Sequence, residues 1–131
     1  MPSEQVEKAR RGFEAFNRGD FDALVALLHE EVVAEVPEPF AAADLYRGPE
    51  GFAKMLREWS EPWDEVTVDV HELFEEGDAV FAPSTQHGRG RGSGVVTSMP
   101  TVFLVRFREG RIVFLRLCQT LEEAREQARD I

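Results

Sequence analysis

The spacing of apolar residues changes once along the chain, near Val66, and this change limits the fold more than any other sequence feature. Upstream, apolar residues recur about every 3.6 positions, as on one face of a helix. Downstream, they recur about every second position in four strand-like runs, at 66–77, 79–90, 94–110 and 111–120. The connections between these runs are too short for crossover helices, so the four strands are predicted to be consecutive and antiparallel.

The helical half begins with two predicted helices. The first carries apolar residues at helical spacing from Val6 to Phe16 and ends near Gly19. Asp20 is placed to cap a second, shorter helix that runs to Leu28.

A short strand and a third helix complete this half. Residues 32–36 are predicted to form the strand, and 38–50 to form a loop. Pro49 suits the first turn of the third helix, which Pro62 ends. Further on, 120–123 have the form of a capping box that opens a short C-terminal helix. Helices on one face of a curved sheet, an α+β fold, are the expected result.

The stretch HGRGRGSG, at 87–94, has a glycine at every second position and lies where two long strands must reverse. Glycine suits such a reversal because it adopts positive φ without a steric penalty. The spacing contains neither G-x-G-x-x-G nor G-x-x-x-x-G-K, and the stretch precedes a strand, whereas a phosphate-binding loop opens a helix. An RGG-like nucleic-acid segment would also need more arginines and interleaved aromatic residues.

Length and charge narrow the class of protein further. The 131 residues are predicted to form one domain, 1–131. The net charge of −10 repels a phosphate backbone, so we expect no nucleic-acid partner. Cys118 is the only cysteine, which excludes an intramolecular disulfide. The sequence contains neither a signal-peptide pattern nor an apolar run long enough for a membrane span, so we expect a cytoplasmic protein with no membrane partner.

Four segments together resemble one known group of proteins. They are FNRGDFDALVALLHEEVVAEVP, YRGPEGFAKML, GRGRGSG and REGRIVFLRLCQTLEEA. The pattern is similar to the SnoaL-like branch of the NTF2-like superfamily, which includes polyketide cyclases, ketosteroid isomerase and limonene epoxide hydrolase. The resemblance implies a cone-shaped α+β barrel, in which three N-terminal helices and a short strand pack on a strongly bent, mostly antiparallel sheet that a short C-terminal helix follows. It also implies a deep apolar pocket and a dimer through the sheet, but it implies no particular reaction.

The reactive groups of the characterised relatives do not carry over. The positions that correspond to the base, the tyrosine and the protonated aspartate of ketosteroid isomerase are Val36, Gly12 and Phe103, so that reaction is not expected here. Thr120 stands where many SnoaL-like relatives have an aspartate. We could place no Asp-Arg-Asp set like that of limonene epoxide hydrolase. With one tyrosine and three histidines, the chain also lacks the paired groups of scytalone dehydratase.

Strand alternation predicts the pocket when the faces that carry Phe81 and Phe103 are taken as inward. His87 then faces the pocket and is the candidate general acid or base, because its ordinary pKa is near neutral. The predicted ligand-binding residues are Val36, Tyr46, Trp59, Trp63, Thr85, Met99, Thr101, Phe103, Leu117 and Gln119. No histidine, cysteine and carboxylate set has metal-ligand spacing, so neither a metal nor a cofactor is expected.

The opposite strand faces carry apolar residues that are rarely left in water, namely Val96, Val102, Leu104, Phe114 and Cys118. We therefore predict a homodimer through this outer face, with Arg106 and Arg116 pairing to acidic residues of the second copy.

Three functional hypotheses remain from the sequence. The first is a non-catalytic protein that binds a small hydrophobic or aromatic ligand in an apolar pocket. The second is an enzyme of isomerase, cyclase or hydratase type that uses His87 on a small hydrophobic metabolite. The third is a dimeric interaction protein, which would have a cone filled by side chains.

Overall fold

The computed structural model of the chain describes residues 3–130, which form four helices and seven strands. In chain order they are α1 (Glu4–Asn17), α2 (Phe21–Val25), β1 (Leu28–Val36), β2 (Asp44–Arg47), α3 (Gly48–Ser60), β3 (Trp63–Val70), β4 (Phe74–Glu76), β5 (Ala79–Gly90), β6 (Val96–Arg108), β7 (Arg111–Cys118) and α4 (Leu121–Asp130).

Local signals set the helix ends. The Ser3 hydroxyl accepts a hydrogen bond from the Val6 amide at 3.1 Å and caps α1, and Gly19, with φ of 75°, stands just beyond its end. At the start of α4 the Thr120 hydroxyl accepts from the Glu123 amide at 3.1 Å, and the Glu123 carboxylate accepts from the Gln119 amide at 2.7 Å. These two contacts resemble the predicted capping box. The difference is that the Glu123 carboxylate accepts from the amide of Gln119, one residue before Thr120.

One sheet contains all seven strands, in the order β2-β1-β7-β6-β5-β3, with β4 also paired to β5. The β1–β7 pair is parallel and the other pairs are antiparallel. The predicted fold is therefore confirmed: helices pack on a curled, mostly antiparallel sheet that does not close into a complete barrel.

Helices cover both faces of this sheet. The inner face packs against α1, α2 and α3 in a large apolar cluster that includes Phe16, Met55 and Phe103. On the outer face, α4 lies over a second cluster that includes Phe81 and Leu104.

The outer face thus differs from the sequence prediction. Val102, Leu104 and Cys118 are buried in the cluster with α4, so the chain's own C-terminal helix covers apolar residues that we had assigned to a partner. Both arginines are also used within the chain. Arg106 donates to Asp78 at 2.7 Å and to the Ala128 carbonyl oxygen, and Arg116 donates to Glu35.

The region from α2 to β2 also differs from the prediction. α2 ends at Val25 and β1 already begins at Leu28, which pairs with Ile112 of β7. β2 lies in the segment predicted to be a loop and pairs with the second half of β1. Pairing with a neighbouring strand has overridden the helical spacing at the start of β1, because tertiary contacts outweigh weak local preferences.

The glycine-rich stretch contains the reversal between β5 and β6, as predicted. Only Gly92 and Gly94 within it have positive φ, of 81° and 68°. Position 88, inside β5, needs glycine for a different reason. An added Cβ atom would come within 2.7 Å of the Trp63 indole, which lies against the backbone there. Close packing as well as chain reversal therefore requires glycine in this stretch.

Within residues 3–130, no helix combines the length and the apolar character needed to cross a lipid bilayer.

Candidate functional site

An apolar cavity lies between the helices and the inner face of the sheet. Its volume is about 50 Å³. The lining residues are Ala9, Gly12, Phe13 and Phe16 of α1, Leu24 of α2, Phe52, Met55, Leu56 and Trp59 of α3, and Val68, Phe103, Val105, Ile112 and Leu115 of the sheet.

Aromatic rings occupy much of the space between α1, α3 and β6. The ring centroids of Phe13 and Phe103 are 5.1 Å apart in an edge-to-face arrangement. Trp59 stacks on Phe16 at 5.0 Å and lies 6.2 Å from Phe103. Such pairs stabilise the core beyond the area that they bury. These rings also explain why the space between the helices and the sheet holds only a few atoms.

The lining contains no titratable, hydroxyl or amide side chain. General acid–base catalysis requires a group that can exchange a proton within hydrogen-bond reach of the reacting atom. The side chains that form this cavity cannot supply one. What they offer is a dry surface that favours an uncharged apolar molecule.

Four of the predicted ligand-binding residues lie at this cavity or directly beside it. Trp59 and Phe103 line it. Val36 and Leu117 line an adjoining gap, too narrow to admit water, that shares Trp59 and Met55 with the main cavity. The prediction placed these residues together, and the structure brings them together.

The predicted face of β5 is wrong. Phe103 pairs with Ala82, and Phe81 pairs with Leu104, so Phe81 and Phe103 lie on opposite faces of the sheet. Taking both as inward shifted the assignment of β5 by one residue. Thr85 and His87 share the outer face with Phe81 and do not reach the cavity.

His87 lies instead beside a shallow depression on the outer face. Its Nδ1 atom is 2.8 Å from the Ser98 hydroxyl. Thr67, Glu65 and Arg89 line the depression with it, and Arg89 pairs with Glu65 at 2.9 Å. No contact joins His87 to the cavity that it was predicted to serve.

The remaining candidates on β6 and after β7 differ in burial. Thr101 is buried on the inner face and accepts a hydrogen bond from Gln86 at 2.6 Å. Met99 and Gln119 are exposed. Because of the one-residue shift on β5, the sequence prediction also missed Gln86. Its pairing with Val68 and Met99 places it on the inner face.

Tyr46 and Trp63 stand at the edges of the site. The Tyr46 hydroxyl donates to the Ala42 carbonyl oxygen at 2.6 Å and lies 3.1 Å from Glu58 Oε1. These contacts join the loop between β1 and β2 to α3. In the same loop Phe40 is buried. Trp63 is half-buried and packs on Gly88.

Burial of the Tyr46 phenol, followed by the Glu58 carboxylate beside it, raises its pKa from 10.0 to about 12. Between those two values the unfolded chain has lost the phenol proton while the folded chain keeps it. We therefore expect the Tyr46 contribution to the free energy of unfolding to be constant below about pH 9 and to decline from about pH 10 to about pH 12.

Urea unfolding at a series of alkaline pH values measures this decline as the difference between the protein and Tyr46→Phe, because the buried Cys118 thiol, whose pKa is also raised, lowers the stability of both. Because Tyr46 is the only tyrosine, the ultraviolet absorbance of phenolate in the folded protein reports its titration directly. Titration of the native protein at the ordinary pKa of tyrosine would contradict this account.

No group of three or more His, Cys, Asp and Glu side chains within the described part of the chain is arranged to hold a metal ion. Cys118 is fully buried, and burial raises the pKa of its thiol to about 11, which makes it a poor nucleophile at neutral pH.

The helices packed on a curled sheet, with an apolar space between them, define the class of protein. The sequence model of the SnoaL-like domain family matches residues 9–115. The chain therefore belongs to the SnoaL-like domain family.

Solved structures support the same fold. An NTF2-like protein of unknown function from Burkholderia pseudomallei is 22% identical, with a TM-score of 0.80 over 97% of this chain and 96% of that chain. A protein assigned as a SnoaL-like polyketide cyclase, from Jannaschia, is 19% identical, with a TM-score of 0.76 over 93% of this chain and 89% of the other.

A third structure contains a small molecule. It is a protein from Catenulispora acidiphila with a ketosteroid isomerase-like fold, in complex with trimethylamine. It is 18% identical to this chain, with a TM-score of 0.76 over 94% of this chain and 92% of that chain. No curated protein matches the sequence.

Proposed function

We propose that this chain binds a small, uncharged, apolar molecule in the space between α1, α3 and the inner face of the sheet, and does not change it chemically. One observation carries the proposal. The fourteen residues that line the cavity are all apolar or glycine, and none can donate or accept a proton through its side chain.

The positions of the missing catalytic groups support binding without catalysis. Gly12 and Phe103, which correspond to two reactive groups of ketosteroid isomerase, both belong to the cavity wall. The third position, Val36, lines the adjoining gap. The places from which a relative acts on its ligand therefore carry only apolar surface or glycine in this chain.

Cavity size limits the ligand. A water molecule needs roughly 10–15 Å³ and drug-sized ligands occupy pockets of roughly 300–1,000 Å³, whereas this cavity has about 50 Å³. A molecule of a few heavy atoms fits without rearrangement. That the relative from Catenulispora acidiphila is in complex with trimethylamine, a molecule of this size class, is consistent with a small ligand.

A larger ligand would enter by displacement of the loop at 37–43. Ala41 and Ala42 of this loop cover the adjoining gap, which shares Met55 and Trp59 with the main cavity. Movement of the loop would open the gap, and a shift of the Met55 and Trp59 side chains, which lie between the two spaces, would then join them. The Tyr46 hydroxyl, through its bond to Ala42, holds the loop closed.

Chloroform is a suitable probe because it is apolar and has four heavy atoms, and Trp59 can report its binding. In a Trp63→Phe variant the only indole is Trp59, so a saturable change in its emission on addition of chloroform reports binding in the cavity. We expect saturation, with His87→Ala added to this variant leaving the curve unchanged, because His87 lies on the other face of the sheet. A response that does not saturate would contradict the proposal.

Enlarging the cavity provides an independent check. Phe103→Leu removes part of a ring from the wall and should raise the affinity for benzene severalfold. Phe81→Leu is the matched control, since it makes the same change at a buried residue under α4. If both substitutions changed the affinity equally, the site would not be the inner cavity.

A homodimer through the outer face and a cytoplasmic location stay predictions. Because α4 covers Val102, Leu104 and Cys118, the part of the outer face left for a second copy lies around Thr67, His87 and the exposed Val96.

A further inference from the structure

We propose that Gln86 and Thr101 form a polar subsite beside the cavity, and that the ligand is an uncharged molecule with an apolar body and one hydroxyl group. This inference rests on the proposed binding function and adds the chemical class of the ligand.

Strand pairing places both side chains beside the cavity wall. Gln86 is directly opposite Val68, and both lie on the inner face. Thr101 is two residues from Phe103 along β6, so these two side chains share that face as well. Val68 and Phe103 both line the cavity. The polar pair is therefore next to two of the lining residues, and since it does not itself border the cavity, the ligand hydroxyl would reach it past Val68 and Phe103.

The pair has hydrogen-bonding capacity left for a ligand. The Gln86 Nε2 atom donates to the Thr101 hydroxyl at 2.6 Å, which holds the amide in place. Thr101 in turn makes a long contact of 3.4 Å to the Met99 carbonyl oxygen. A glutamine amide offers two N–H donors and a carbonyl acceptor, so an N–H group and the carbonyl oxygen remain available. A hydroxyl group, which both donates and accepts, complements them.

The surroundings favour a neutral ligand. The residues directly opposite the pair on the neighbouring strands are Val68, Met99 and Ser84, none of which carries a charge. A carboxylate or ammonium group there would be removed from water without a charged partner, which is strongly unfavourable. The net charge of −10 further disfavours an anionic ligand.

Toluene and phenol test the inference, because they have similar shapes and differ in the hydroxyl group. Their dissociation constants are measured by the emission of Trp59 in a Trp63→Phe background that also carries Phe103→Leu, because both probes are larger than the unsubstituted cavity. The same two measurements are then made with Gln86→Met added. The matched control is Gln127→Met, which changes a half-buried glutamine on α4, across the sheet from the cavity.

We expect Gln86→Met to reduce the preference for phenol relative to toluene by about threefold to tenfold, the usual worth of one net hydrogen bond. Thr101→Val, which removes the anchor of the Gln86 amide, should shift the preference in the same direction. Gln127→Met should leave it unchanged. An unchanged affinity for toluene in each variant shows that the cavity is intact.

Two other results would overturn the inference, and they can be told apart. Saturable toluene binding with the same phenol preference in all variants would remove the polar subsite and leave the proposed binding function standing. Failure of both probes to bind any variant, together with no saturable response to chloroform in the Trp63→Phe variant, would overturn the proposed function, and the subsite with it.

Discussion

Phe103→Ala is expected to lower the free energy of unfolding by about 3–5 kcal/mol. The Phe103 side chain is 2% exposed. Its ring centroid lies 5.1 Å from that of Phe13 and 6.2 Å from that of Trp59. Its loss removes apolar contacts from β6, α1 and α3 together. Because a cavity already exists there, the substitution enlarges an empty space that the surrounding aromatic rings cannot fill completely.

Urea unfolding followed by circular dichroism measures this loss. Val96→Ala is the control on the same strand: Val96 is 69% exposed, so its truncation should change stability by less than about 0.5 kcal/mol. A loss below about 1 kcal/mol for Phe103→Ala would show that the ring is not part of a well-packed core.

Ala124→Glu is expected to lower the free energy of unfolding by at least about 3 kcal/mol and to detach α4 from the sheet. Ala124 is 0% exposed in the contact between α4 and the outer cluster of Phe81, Val102, Leu104 and Cys118. A carboxylate at this position would be removed from water, and Arg106, the buried arginine that contacts the same helix, is already held by Asp78 and the Ala128 carbonyl oxygen. Release of the helix would relieve that cost but would expose the apolar residues beneath it.

Urea unfolding measures the loss, and binding of a hydrophobic dye reports the exposed outer face. Arg129→Gln is the control, because it changes the net charge by the same amount at an exposed position of the same helix. Dye binding that stays at the level of the unsubstituted protein, together with unchanged stability, would mean that α4 does not pack on the sheet as described.

The helices and the strand reversals could be predicted from sequence because their signals are local. Pro49 in the first turn of α3 and Thr120 before α4 specify helix starts whatever the rest of the chain does. The glycines at 92 and 94 likewise specify a reversal, since positive φ has few alternatives to glycine.

The facing of β5 could not be predicted in this way, because its burial does not alternate. Residues 79–82 are all buried, since α1 and α3 cover one face and α4 covers the other. A strand that is buried on both sides loses the period of two from which its register is derived. His87 was therefore assigned to the cavity, and Gln86, the residue that does face inward, was missed.

The packing of α4 on the outer face of the sheet was the second feature that could not be predicted from the sequence. The capping box predicts a helix but not its partner, and the apolar residues of the outer face were consequently assigned to a second copy. Likewise, the aromatic residues that line the cavity could be identified by their spacing. How completely their rings fill the cone depends on side-chain packing, which spacing does not specify.

The most direct test of the binding account is a crystal structure of the protein under xenon pressure, because xenon enters dry apolar cavities without needing a hydrogen-bond partner. The account predicts a xenon atom between α1, α3 and the sheet, in contact with Phe13, Phe103 and Leu115. A cone with no xenon, or xenon found only on the outer face beside His87, would contradict it.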